Sequence, residues 1–165
     1  MARRGSTLTL FLDSSVVFTA VNSPFGGSAK LFTLPEVQLI VSKVVLTEVE
    51  RNVKNKLTQL HIERFFTLAK NLTIITQLPS RELIERAQKV IVPKDAVILA
   101  EAKRVNPQYL VTLDKKHFFT TQVKTYIKPT IIASPKMIID MLDNLAVKKR
   151  RALHAKRIRN ELIKI

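Results

Sequence analysis

Four acids stand where apolar runs end or begin: Asp13, Glu48, Asp95 and Asp114. Asp13 closes the apolar run 7–12, and Asp114 follows the run 109–112 by two residues. Asp95 heads a stripe, three and four residues before Ile98 and Leu99. Glu48 lies on the edge of the stripe Val41, Val45, Val49 and Val53, whereas Glu50 is turned about 200° from it and faces water. A carboxylate beside a core-facing stripe costs free energy unless it is paired or metal-bound. Carboxylates gathered without His or Cys suit a hard, oxygen-seeking cation, Mg²⁺ or Mn²⁺. Such an ion polarises a phosphoryl oxygen and helps to deprotonate water for in-line attack. Each acid alone has a plainer reading as a helix cap or first-turn acid. His61, His117 and His154 are scattered over a helix, a loop and the tail, and none reads as a ligand, although His117 is near Asp114.

The elements that must position these acids alternate in type. Strands are predicted at 7–12, 37–41, 72–76, 109–112 and 130–132, mostly as short apolar runs. Helices are predicted at 14–21, 29–33, 42–56, 58–70 (with Leu60, Phe65, Leu68 and Ala69 inward), 80–90 and 93–105, and from Ser134 onward. Residues 23–28 (SPFGGS) break the chain, and Gly26-Gly27-Ser28 reads as a turn rather than a phosphate loop. Alternating strands and helices with two-sided apolar strands predict an α/β fold: a three-layer α/β/α sandwich around a mostly parallel five-stranded sheet. In such a sheet the ligand crevice lies outside the carboxyl ends of the strands, the rim that Asp13 and Asp114 share.

Composition narrows the partners. The chain of 165 residues suits one domain, and its +15 net charge favours a polyanion. Without cysteine it has neither disulfides nor thiolate chemistry, which accords with a reducing cytoplasm. No apolar run reaches the roughly 18 residues of a membrane span. Residues 144–165 carry eight Lys or Arg against Glu161 alone, +7 of the total. We therefore expect a domain over 7–143 and a basic, helical extension over 144–165. Ile158, Leu162 and Ile165 share a face of that extension, and Lys148, Lys149, Arg150 and Arg151 are placed to meet a nucleic-acid backbone.

Taken together, Phe11-Leu12-Asp13-Ser14-Ser15-Val16, Ser42-x5-Glu48-Val49, Lys94-Asp95-x3-Leu99-Ala100-x-Ala102 and Leu110-Val111-Thr112-x-Asp114 resemble the ordered motifs of the PIN domain family, including VapC-type toxins. The resemblance implies a metal-dependent endoribonuclease, plausible as the toxin of a toxin–antitoxin pair. It implies that Asp13, Glu48, Asp95 and Asp114 hold Mg²⁺ or Mn²⁺ and position the attacking water, with Ser15 and Thr112 in support. It also implies RNA as substrate, an antitoxin protein as partner, and a homodimer. Where the family often has a further acid, this chain has Lys115, Lys116 and His117, and the two lysines are expected to contact RNA. The rival readings are a non-catalytic RNA-binding or assembly module on the same fold, and an α/β phosphatase. Ser15, standing two residues after Asp13, disfavours the Asp-x-Asp pattern of the latter.

Overall fold

The computed structural model describes residues 7–162, apart from the side chains of 158 and 160–162. The face shared by Ile158, Leu162 and Ile165 therefore lies outside the described side chains. In chain order the elements are β1 (Leu8–Leu12), α1 (Ser14–Asn22), α2 (Gly27–Leu31), β2 (Val37–Ser42), α3 (Lys43–Lys56), α4 (Gln59–Ala69) and β3 (Thr73–Ile75). There follow α5 (Arg81–Gln88), α6 (Pro93–Val105), β4 (Tyr109–Val111), α7 (Lys115–Phe118), α8 (Thr121–Ile127), β5 (Ile131–Ala133) and α9 (Pro135–Leu162). The chain divides into two compact units after Pro135, so α9 forms a unit of its own. No helix among the described residues is long and apolar enough to cross a membrane.

The five strands are all parallel, in the order β3-β2-β1-β4-β5. β1 is central because its apolar residues are covered on both faces: Leu10, Phe11 and Leu12 are fully buried. It pairs with β2 on one side (Leu10 opposite Leu39) and with β4 on the other (Leu12 opposite Val111). The order of connection reverses at β1. The chain runs outward through β2 to β3, then returns through α5 and α6 to β4 on β1's free side. Right-handed crossovers place helices connecting in opposite directions on opposite faces. Accordingly α1, α3 and α4 pack together, as do α5, α6 and α8. The crevice between the carboxyl ends of β1 and β4 is the topological switch point of the sheet.

Caps fix where the acid-bearing helices begin. The Asp13 carboxylate accepts from Ser14 N, and Ser42 Oγ accepts from Val45 N. Pro93 is the first residue of α6, where its missing N–H costs nothing, and Asp95 lies in the first turn. Asn106 in the left-handed region (φ 54°) ends that helix.

Three expectations need correction. β3 is an edge strand and is not covered on both faces: Thr73 and Ile74 are exposed. Leu60 faces water, 75% exposed, while Phe65 is buried. The two are five residues apart, about 140° around a helix, and cannot share a face. Finally, α8 went unpredicted, although Thr120 caps it and Val123 and Ile127 recur four apart on its buried side.

Candidate acidic site at the carboxyl ends of the sheet

Asp13 leaves β1 with its backbone N–H bonded to Val111 O of β4 (2.9 Å), which sets the two strand ends side by side. Its side chain is only 4% exposed, and hydroxyls surround it. Oδ2 accepts from Ser15 Oγ (2.6 Å) and from Thr112 Oγ1 (2.8 Å), while Oδ1 accepts from Ser14 N (2.8 Å). Both hydroxyls also tie down the chain after β4: Ser15 Oγ accepts from Leu113 N (3.1 Å) and Thr112 Oγ1 from Asp114 N (3.0 Å). The last acid is thus placed by a hydroxyl that also holds the first.

Asp114 caps α7. Its Oδ1 accepts from His117 N (3.0 Å), and its Oδ2 lies 2.6 Å from His117 Nδ1. Burial raises its pKa, but the His117 amide and ring, with the charges of His117 and Lys94, outweigh burial and hold the group below the ordinary carboxylate range. Asp95 moves the other way. Burial, aided by the neighbouring charges of Asp13 and Asp114, raises its pKa against the opposing pull of Lys94 and His117. Asp95 Oδ2 is buried with no hydrogen-bond partner, and His117 Nδ1 is 3.5 Å from it. Ligand atoms of Asp95, Asp114 and His117 all lie within 4.8 Å of one another.

A model of the PIN domain matches residues 10–122, a span that contains all four acids. The chain belongs to the PIN domain family. No curated protein sequence matches it significantly. Among solved structures, its fold is similar to that of the PAE2754 protein of Pyrobaculum aerophilum: 12% identity, TM-score 0.57, covering 85% of this chain and 99% of that one. It is also similar to a chain of a toxin–antitoxin complex from Klebsiella pneumoniae, with 20% identity and TM-score 0.55 over 76% of this chain and 97% of that one. A third likeness is to VapBC2 of Rickettsia felis bound to a DNA fragment of its promoter, with 18% identity and TM-score 0.57 over 77% of this chain and 98% of that one.

In this PIN domain Asp13 and Asp114 lie close enough to Asp95 for their charges to help raise its pKa. Glu48 stands apart from the tight group of Asp95, Asp114 and His117. It lies half-buried on α3, at a cleft whose wall also carries Lys94, the residue before Asp95. Lys115 and Lys116 follow Asp114 on α7. Lys148, Lys149, Arg150 and Arg151 are exposed on α9.

Two residues of the site's surroundings were not read from the sequence as part of the acidic site. His117, passed over as a ligand, is drawn to the acids because α7 is a single turn, which returns residue i+3 to its own cap. Glu101 of α6 is 1% exposed, accepts a hydrogen bond from Ser42, and keeps one oxygen unpartnered. Burial raises its pKa, opposed by the Ser42 hydroxyl and Arg104. It ties the helix bearing Asp95 to the cap of the helix bearing Glu48. Its spacing three after Ile98, between Ala100 and Ala102, was the available signal.

Proposed function

We propose that this PIN domain is a metal-dependent endoribonuclease that hydrolyses RNA phosphodiester bonds in the cytoplasm, as the toxin of a toxin–antitoxin pair. The observation that carries the proposal is the convergence of Asp13, Asp95 and Asp114 at the switch point of a strongly basic domain, with one oxygen of Asp95 buried and unpartnered. A buried carboxylate oxygen without a donor is costly, and a cation is the partner it fits. Asp95 and Asp114 offer carboxylate oxygens beside His117 Nδ1, a set that suits Mg²⁺ or Mn²⁺ through its oxygens, and we infer that Asp13 and Glu48 complete it. When bound, the ion supplies a Lewis acid for a phosphoryl oxygen and lowers the pKa of a water.

The chain's own residues do the rest. Ser15 and Thr112 hold Asp13 in one orientation, and His117 fixes Asp114. Lys115 and Lys116, beside Asp114, offer cations to phosphates, and α9 by itself carries further cations, Lys148, Lys149, Arg150 and Arg151. We infer that the partner is an antitoxin, on the likeness of the fold to chains of toxin–antitoxin complexes. We also infer that the domain works as a homodimer, as the family resemblance implies.

The test is cleavage of structured and unstructured RNA with Mg²⁺, Mn²⁺ or EDTA. Cleavage that stops with EDTA and is lost in Asp13→Asn and Asp95→Asn is expected. Cleavage that survives either change would sink the mechanism. The hold of His117 on both oxygens of Asp114 favours a second reading, a PIN domain that binds RNA without cutting it. That reading requires salt-dependent RNA binding with the RNA left intact in Mn²⁺.

A further inference from the structure

Beside the acidic site, on its β2–β3 flank, lies a cleft of about 660 Å³ lined by α3, the segment after β3 and the start of α6. Its volume falls within the range of about 300–1,000 Å³ typical of pockets for small ligands. Lys43, Thr47 and Arg51 recur every four residues along the exposed side of α3, and Lys94 of α6 joins them. None of the three cations makes an ion pair with an acid among the described residues. Lys43 and Arg51 are separated by two helical turns, about 12 Å, a reach of more than one phosphate along an extended strand. Leu78 completes the wall, 63% exposed, and Val44 faces the same space. Glu48, one of the proposed catalytic acids, also lines the cleft, and Lys94 precedes a second, Asp95, in the first turn of α6.

We propose that this cleft binds a single RNA strand, with its phosphates on Lys43, Arg51 and Lys94 and a base against Leu78 and Val44. The proposal rests on the ribonuclease reading for its substrate class and adds where the strand lies. Unpaired cations along one helix edge match a repeated negative charge, and an exposed leucine among them gives an apolar face a place to settle. A base can reach Leu78 only if it is unstacked, which a single strand permits and an A-form duplex does not. An acidic protein segment also suits the cations. RNA is favoured because the cleft holds Glu48, whose proposed use is on a phosphodiester.

The experiment uses the full chain in EDTA and a short, fluorescent, 2′-O-methyl single strand, with anisotropy measured across a range of KCl concentrations. Lys43→Ala/Arg51→Ala is expected to lower affinity at least tenfold at low salt. It should also flatten the salt slope by about 1.4, at roughly 0.7 per lost phosphate contact on a single strand. Leu78→Ala is expected to weaken binding of the base-bearing strand several-fold and to leave an abasic strand of equal length unaffected. Both pairs of measurements are made on proteins whose melting temperatures match that of the wild type. Unchanged affinity in the double variant overturns the cleft. Equal loss for duplex RNA overturns the single-strand assignment. An oligo-aspartate peptide that binds as tightly, with the same loss in the variant, overturns the choice of RNA. Cleavage by the wild type in Mn²⁺ is scored separately. A wild type that cuts RNA, with a double variant that binds normally, removes the cleft and spares the ribonuclease. A wild type that cuts nothing, with a double variant that loses binding, does the reverse.

Discussion

The two flanks of the acidic rim are built differently. On the β1–β4 flank every oxygen of Asp13 has a donor, Asp114 is clasped by His117, and Thr112 and Ser15 reach across between the strand ends. On the β2–β3 flank Glu48 stands half-buried at an open cleft, its neighbours Lys43 and Arg51 make no salt bridge among the described residues, and Thr73 and Ile74 of β3 are exposed. The first flank spends its hydrogen bonds on holding carboxylates still. The second leaves its charges free to meet a partner. The proposed ribonuclease, which must fix a small ion yet admit a long polyanion, needs both kinds of construction, and this chain offers them on the two sides of one sheet.

The largest expected effect lies on the fixed flank. Asp95→Asn removes the unpartnered oxygen from the donor group, and cleavage in Mn²⁺ should fall by about a thousandfold, from a loss of several kcal/mol of charge stabilisation. A loss below tenfold would mean that Asp95 is not a ligand. Thr112→Val keeps the shape but removes the hydroxyl between Asp13 and Asp114. It should cost about ten- to a hundredfold in Mn²⁺ affinity or activity, as for other partners of metal ligands. Calorimetric titration with Mn²⁺ gives the first and steady-state cleavage the second.

Next in size is a contrast in stability between two neighbouring acids. Asp95 has a raised pKa, so its charged form is disfavoured by folding. That contribution is favourable while the group is protonated and is lost as pH rises through the raised value. In metal-free protein, Asp95→Asn should therefore raise the melting temperature by a few degrees at pH 7 and do nothing below the ordinary carboxylate range. Asp114 has a lowered pKa, and its contribution is present at neutral pH and lost as pH falls through the depressed value. Asp114→Asn should lower the melting temperature at pH 7, and that deficit should close only in more acid solution. Melting curves in EDTA at several pH values check both signs. The smallest effect belongs to the open flank. Ile74→Thr on exposed β3 should change stability by no more than about 0.5 kcal/mol in urea unfolding. A much larger loss would show that this edge is covered in solution.

The order of strands and helices was legible in the sequence because apolar runs and caps coincide: Asp13, Ser42 and Ser80 all cap the helices they precede. Asp13, Asp95 and Asp114 could be singled out because each sits at such a junction, and Glu48 because it borders the valine stripe of α3. What the sequence withheld were features set by pairing across the fold. Thr112 was expected to support the last acid, and its hydroxyl accepts from Asp114 N; that it also donates to the first acid follows from β1 and β4 being neighbours in space and far apart in sequence. β3 looked like its neighbours because its composition is apolar, but its place at the edge decides its exposure. Glu101 was hidden among alanines, and only the approach of Ser42 from another element explains how an acid is tolerated there.

The hydrogen bond from Thr112 to Asp13 spans 99 positions of the chain. β1 is the first of the described strands to be made, yet its free side stays bare until β4 has been synthesised, and six helices and two strands are made in between. Contacts of such separation form late, after the entropy of closing the intervening chain has been met. The nascent protein can therefore assemble β1, β2 and the helix carrying Glu48 on the ribosome while the rim is still missing half its carboxylates. Under the ribonuclease reading proposed above, the acidic rim stays incomplete until β4 and Asp114 have emerged.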